Sequence, residues 1–224
     1  MNKQKRLGAN ISHDSLPYSV RVLQKVSNRY FANIWDNLEH LSDVEEALFA
    51  MEMADENDEV VLNLNCNGGS MYVGDALLMA MRNCKANIHV VATGVTASFA
   101  TFILLNADSF EISPYLEILC HSASFGSAGK MQDTKEHVDF TFKQCKKFLH
   151  EEYKYFFTPE EIDDMIENKR EVYMDTEEFI ERYQKRNEAI LAEQQGGCSC
   201  DELQEDGPIS CSHKELAQAL GYQA

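Results

Sequence analysis

The sequence predicts an α/β fold with a largely parallel sheet, and two observations support this prediction. Three apolar runs, EVVLNLNC, NIHVVATGV and YLEILCHSA, each have the character of a strand, and helix-like segments separate them. The connections are only a few residues long, so the strands are expected to lie side by side with right-handed crossovers. Ligands of such sheets gather at the carboxyl ends of the strands, where we therefore look first for a functional site.

The predicted elements begin with an amphipathic helix, or two short ones, over residues 33–55. Apolar residues recur there at steps of three and four, namely Ile34, Leu38, Leu41, Val44, Leu48 and Met51. In the strand predicted at 59–66, apolar residues alternate with asparagines. The rest of the core is predicted as helix 72–84, strand 87–95, helix 98–107 and strand 115–123.

Helices dominate the predicted structure of the C-terminal part. A long polar helix covers 133–155, and Thr158-Pro-Glu-Glu161 is a capping box with proline at the first helical position, so another helix begins there. An acidic helix follows from about residue 176 to 192. The predicted organisation is a flexible arm at 1–18, one folded domain at 19–193 and a polar, cysteine-containing tail at 194–224.

The composition predicts a soluble, reduced, cytoplasmic protein. The basic N-terminal residues precede no apolar run, so we predict no signal peptide, and no segment has the roughly 20 apolar residues that span a bilayer. The seven cysteines are an odd number, which argues against a disulfide framework. The net charge is −17, and residues 151–206 carry 18 acidic against 6 basic side chains. Nucleic acid and anionic membranes are therefore not expected as main partners.

Three polar or glycine-rich segments, 67–70, 96–98 and 121–129, fall at the ends of predicted strands. Among them, Ser98 can act as a nucleophile if a base such as His121 takes its proton. The turn at Gly68-Gly69 can bring backbone N–H groups close to an oxyanion. These are the residue types that acyl transfer requires. Each also has a structural explanation: a serine that caps a helix, a glycine turn and a hydrogen-bonded histidine.

Three stretches in order, NLNCNGGSMYVGDALLMAM, ATGVTASFATFILLNA and LEILCHSASFG, resemble the motifs of the proteolytic subunit of the Clp protease, ClpP. The motifs of that family are a strand followed by SPGGS and a helix, then GxAASMGA, then MIHQP. The resemblance extends from about residue 30 to 183. It implies the repeated β-β-α and βαβ core shared by ClpP and crotonase folds, with a long handle helix at 133–155.

The resemblance also implies roles for individual residues. Ser98 matches the nucleophile and His121 the base, and the backbone N–H groups of Gly69 and Phe99 match the oxyanion hole. The residues expected to bind an extended substrate are Gly68, Ser124, Phe125 and Gly126. The chain departs from the family pattern at Asn67 in place of proline, at Phe99 in place of methionine, and at Ser122-Ala123 in place of Gln-Pro.

The third member of the catalytic triad is a larger departure. Arg170 stands at the position of the family's aspartate, and an arginine cannot orient a histidine. Glu171 is the nearest carboxylate, with Asn168 and Asp175 also close in sequence. Three alternatives stay open: Glu171 takes over the role, the site works as a Ser–His dyad, or the enzyme is impaired.

The implied activity is hydrolysis of peptides or unfolded polypeptides inside stacked seven-membered rings fed by an AAA+ unfoldase. The resemblance implies no metal or cofactor for this chemistry. One rival is an impaired subunit that serves as scaffold or regulator, and another is a crotonase-type acyl-CoA enzyme. Against the acyl-CoA enzyme stand the Ser98/His121 pair and the lack of a recognisable CoA-binding signature.

The tail is not covered by the resemblance. Its four soft ligands, Cys198, Cys200, Cys211 and His213, are enough for a tetrahedral zinc site, although the one-residue gaps are tighter than usual. The alternative is an exposed, reduced tail. A capping box at 212–215 predicts a short helix near the end of the chain.

Overall fold

The computed structural model describes residues 27–196. They form two compact units that divide between Leu119 and Cys120, and each unit is described by itself. The predicted arm at 1–18 lies outside the described residues, as do the four candidate zinc ligands of the tail. The domain boundaries and the zinc site therefore stay predictions.

The first unit is a parallel sheet with helices in its connections. In chain order its elements are β1 (Arg29–Leu38), a short 3-10 turn (Leu41–Asp43), α1 (Glu45–Met53), β2 (Glu59–Gly69), α2 (Met71–Asn83), β3 (Asn87–Ala97), α3 (Ala100–Leu105), β4 (Ser109–Ile112) and β5 (Glu117–Cys120), whose last residue is the first of the second unit. Strand β2 lies between β1 and β3, and β3 also pairs with β4 and β5. All these pairings are parallel, which confirms the predicted α/β fold class.

The core of this unit is built from rows of side chains that cross three strands. Ala32, Leu62 and Val90 are register partners, and so are Ile34, Leu64 and Ala92; all six are fully buried. Burial of apolar area contributes about 25 cal/mol per Å² to the free energy of folding. These rows therefore stabilise the sheet and hold the ends of its strands in place.

The prediction of helix from residue 33 is wrong at its start. Residues 33–38 belong to β1, where buried Ala32 and Ile34 alternate with exposed Phe31 and Trp35. The four-residue step from Ile34 to Leu38 fits a strand as well as a helix, because four is also a multiple of the two-residue strand period. The helix itself begins later, at Glu45.

A bulge in β3 decides what lies opposite the end of β2. Leu64 pairs with Ala92, but Cys66 pairs with Thr96. Between these two pairs β3 therefore advances four residues while β2 advances two. Gly94 takes a left-handed φ of 67° in this bulge, and Asn65 Oδ1 accepts a hydrogen bond from Val95 N–H at 3.1 Å. The extra residues bring the end of β3, and with it Ser98, beside the end of β2.

The second unit consists of α4 (Met131–Glu152), α5 (Pro159–Glu167), β6 (Val172–Met174) and α6 (Thr176–Gly196). The predicted capping box of α5 is confirmed: Thr158 Oγ1 accepts from Glu161 N–H, and Glu161 accepts from Thr158 N–H. The core of this unit is a cluster of buried aromatic rings, Tyr153, Phe156, Phe157 and Phe179. Among the described helices, none has the length and apolar character that a membrane crossing requires.

Candidate active site

Ser98 sits in a strained backbone conformation between β3 and α3. Its φ is +54°, a left-handed value that costs a residue other than glycine about 1–2 kcal/mol. Its backbone is held on both sides: Ser98 N–H donates to Leu119 O at 2.7 Å, and its carbonyl accepts from Thr101 N–H and Thr101 Oγ1. Strain of this kind persists only where the surrounding structure fixes the backbone.

The interpretation of Ser98 as a helix cap is wrong. The N-cap residue of α3 is Phe99, and no side chain caps this helix. In the described part of the first unit, Ser98 Oγ makes no hydrogen bond, and the side chain is half-buried. The hydroxyl is therefore not used by the local fold of this unit.

Gly68 lies directly against Ser98 and Phe99. A Cβ at Gly68 would stand 2.6 Å from Ser98 Cβ, 2.7 Å from Ala97 O and 2.8 Å from Phe99 N. The φ of Gly68 is +91°, which disfavours any side chain even without these contacts. The structure thus brings the bare backbone of the glycine turn to the predicted nucleophile and to the backbone N of Phe99.

Gly69 is required for a different reason. It ends β2 with a φ of +145°, and a Cβ there would lie 2.5 Å from Leu38 O. The next residue fixes the same contact, because Ser70 N–H donates to Leu38 O at 2.7 Å. The glycine turn is therefore held by the end of β1 as well as by the end of β3.

The side chain of Cys66 contacts the backbone of this turn, a role that its place in the strand predicted at 59–66 did not indicate. Gly68 N–H donates to Cys66 Sγ at 3.3 Å, and the thiol returns a longer contact to Gly68 O at 3.8 Å. Burial raises the pKa of the Cys66 thiol, so the neutral thiol is present near pH 7. The only signal in the sequence was the position of this cysteine immediately before Asn-Gly-Gly.

His121 lies in the second unit and follows the last residue of β5. The ring is half-buried, and neither of its nitrogens has a hydrogen-bond partner in the described part of this unit. Residues 121–128 have no regular structure, and Ser124, Phe125 and Gly126 are exposed. The Phe125 ring packs edge-on against His137 of α4, with ring centroids 5.2 Å apart.

The acidic candidates near residue 170 have different partners. Arg170 is exposed and pairs with Asp164 at 3.4 Å, and Asn168 also donates to Asp164. Asp175 accepts from Glu178 N–H at the start of α6, so its carboxylate caps a helix. Glu171 is exposed and accepts a hydrogen bond from the Tyr173 hydroxyl at 3.2 Å. Of the two candidate carboxylates, Glu171 is the one without a structural role in a helix.

Comparison with known proteins decides the family. The family model described as Clp protease matches residues 27–182, well over half of the chain. The chain belongs to the Clp protease family. Ser98 directly follows the end of β3, and Gly68-Gly69 forms the end of β2.

Several curated relatives of this Clp protease family member are subunits of ATP-dependent Clp proteases. The proteolytic subunit 1 of Shouchella clausii (strain KSM-K16) is 28% identical over 105 residues, which cover 46% of this chain and 54% of the relative. The proteolytic subunit of Deinococcus radiodurans is 27% identical over 150 residues, covering 55% and 72%. Subunit 3 of Streptomyces avermitilis is 33% identical over 89 residues, covering 38% and 40%. The chain spans about half the length of the first of these relatives.

Proposed function

We propose that this Clp protease family member is a serine endopeptidase in which Ser98 is the nucleophile. The observation that carries the proposal is the left-handed backbone of Ser98, held against the bare backbone of Gly68. A strained junction between a strand and a helix exposes a serine hydroxyl instead of using it as a cap. The family match and the motif order around His121 support the same chemistry.

The proposed mechanism is acyl transfer in two steps. Ser98 Oγ attacks the scissile carbonyl while His121 takes its proton, and the tetrahedral oxyanion accepts hydrogen bonds from Gly69 N–H and Phe99 N–H. His121 then gives the proton to the leaving amine, which departs as the acyl-enzyme forms. Water, deprotonated by His121, hydrolyses the ester and restores Ser98. In this proposal Glu171 orients the imidazole and stabilises its protonated form.

The proposed substrates are peptides or unfolded polypeptides, bound in extended form. Residues 121–128 are a candidate for strand-like pairing with substrate because Ser124, Phe125 and Gly126 are exposed and outside regular structure. Gly68 would contribute backbone on the other side of Ser98. No cofactor takes part in these steps.

We further propose a ring assembly that works with an AAA+ unfoldase. The relatives are named as subunits of ATP-dependent proteases, which supports an energy-dependent partner. Helix α4 supports contacts between rings: of its 22 residues only Leu149 and Glu152 are buried, and Met131, Phe140 and Phe142 are exposed. A helix with several large apolar side chains in solvent favours a protein partner.

A second candidate function is that of an impaired subunit, acting as scaffold or regulator in mixed rings. The observation that favours it is Arg170, which pairs with Asp164 at the position where the family has the orienting aspartate. The Glu171 carboxylate, in contrast, has Tyr173 as its hydrogen-bond partner.

A fluorophosphonate probe followed by intact-mass measurement tests the two candidates. We expect one adduct on the parent protein and none on Ser98→Ala or His121→Ala, because only an activated serine reacts. Ser109→Ala is the matched control: its hydroxyl lies 2.8 Å from His89 Nδ1 on the sheet, yet it has no glycine turn beside it. This variant should label like the parent. An unlabelled parent would contradict the peptidase proposal and favour the impaired subunit.

Gly68→Ala is expected to lower turnover of a fluorogenic peptide by about 100-fold, because a misplaced reacting group commonly costs that much. The new Cβ would overlap Ser98, Ala97 and Phe99 and would also disfavour the left-handed φ. Asn67→Ala, one residue earlier on an exposed side chain, is the control and should keep parental turnover. Equal turnover of the parent and Gly68→Ala would contradict the proposal that the glycine turn is part of the active site.

A further inference from the structure

Gly74 in helix α2 lies in close contact with the ring of Phe99. A Cβ built on Gly74 would stand 2.2 Å from Cε1, 2.3 Å from Cδ1 and 2.5 Å from Cζ of that ring. Both residues are buried, and Phe99 is only 3% exposed. No other residue type fits at position 74 while the ring keeps this place.

The backbone of Gly74 does not itself call for glycine. Gly74 is not among the residues with positive φ, and its N–H makes a regular helical bond to Ser70 O at 3.0 Å. Alanine at such a position would ordinarily stabilise the helix by about 1 kcal/mol. The glycine therefore serves packing against Phe99, not helix geometry.

Phe99 is enclosed from three directions. Gly74 of α2 lies against Cδ1, Cε1 and Cζ of the ring, and Phe102 of α3 packs edge-on with ring centroids 5.3 Å apart. On the backbone side, the position of a Gly68 Cβ lies 2.8 Å from Phe99 N. A ring fixed in this way leaves the backbone N–H of Phe99 little freedom to move, because packed cores transmit displacements.

We propose that Gly74 is a positioning residue for the oxyanion hole. Its contact with the Phe99 ring fixes the position of that ring and thereby the direction of the Phe99 N–H. This inference rests on the proposed function, in which Phe99 N–H binds the oxyanion. It also explains how the chain accommodates phenylalanine after the nucleophile, since the bulkier side chain needs the space that Gly74 leaves.

The test measures inactivation of the full chain by a fluorophosphonate, whose phosphonyl oxygen occupies the oxyanion hole. Gly74→Ala should lower the maximal inactivation rate by about 100-fold, the usual effect of displacing one oxyanion donor, and change the probe's half-saturating concentration less than two-fold. Asp75→Ala, the next residue of the same helix with an exposed side chain, is the control and should react like the parent. Thermal unfolding of each variant reports whether the fold is retained.

Repeating the change in the Phe99→Leu background separates positioning from loss of fold. Leucine lacks Cε1 and Cζ, two of the three ring atoms in the predicted clash. In that background, Gly74→Ala should cost less than two-fold in the inactivation rate. An equal cost in both backgrounds, or a parental rate for Gly74→Ala alone, would overturn the inference while leaving the peptidase proposal intact. A parent protein that does not react at all would instead overturn the proposed function, and this inference with it.

Discussion

Replacing Glu171 with glutamine is expected to lower turnover of a fluorogenic peptide by about 10⁴-fold, the loss typical of a triad without its acid. In the proposed mechanism, the Glu171 carboxylate orients the imidazole of His121 in the tautomer that accepts the serine proton and stabilises the imidazolium that forms. An amide keeps the size of the side chain but supplies neither effect. Steady-state turnover and the rate of fluorophosphonate labelling should fall together.

Asp175→Asn is the matched control for this change. Asp175 is the other nearby carboxylate, and it caps α6 by accepting from Glu178 N–H. Its substitution should cost about 1 kcal/mol of unfolding free energy, as loss of a cap does, and leave turnover near the parental value. Parental turnover in Glu171→Gln would show that the site works as a Ser–His dyad. A loss of turnover in Asp175→Asn instead would indicate that Asp175, not Glu171, is the third member of the triad.

Two substitutions of Ser98, to alanine and to glycine, are expected to have the same effect on turnover but different effects on stability. Ser98→Ala and Ser98→Gly should both lower turnover by at least about 10³-fold, because each removes the proposed nucleophile. Ser98→Gly should nevertheless be about 1 kcal/mol more stable than Ser98→Ala, since glycine adopts the φ of +54° without strain. This difference corresponds to a Tm about 2–4 °C higher, which thermal unfolding can resolve.

The same pair of substitutions at Ser109 is the control for stability. Ser109 lies in β4, where the backbone is extended and glycine carries only its entropic cost. Ser109→Gly should therefore be less stable than Ser109→Ala, the opposite order from Ser98. The same order at both positions would mean that Ser98 does not hold a left-handed backbone, and the main support for the proposed nucleophile would be lost.

Much of the parallel sheet could be predicted because its signal is local. The run EVVLNLNC alternates apolar and polar residues, and β2 forms there; the apolar runs at 87–95 and 115–123 became β3 and β5. The helix at 72–84 corresponds to α2, and the long helix at 133–155 corresponds to α4. The short strand β4 was missed, because its four residues, SFEI, carry too little pattern to distinguish a strand from a loop.

The misassigned start at residue 33 has a physical reason as well. Ile34 and Leu38 fit both periods, and the deciding fact is that Ala32 and Ile34 pair with Leu62 and Leu64 of β2. That pairing joins residues about 30 positions apart. A short segment of sequence does not contain both partners, so its periodicity cannot reveal the pairing.

The alternation of strands and helices, the order of the motifs and the residue types at the strand ends can all be read from the sequence. How those residues meet depends on tertiary packing. The bulge at Gly94 sets Thr96 opposite Cys66, the close contact with Gly68 accompanies the left-handed Ser98, and the glycine at position 74 seats the Phe99 ring. Contacts of this kind depend on the packing of elements far apart in sequence, and their tolerances of a few tenths of an ångström leave no trace in periodicity or composition.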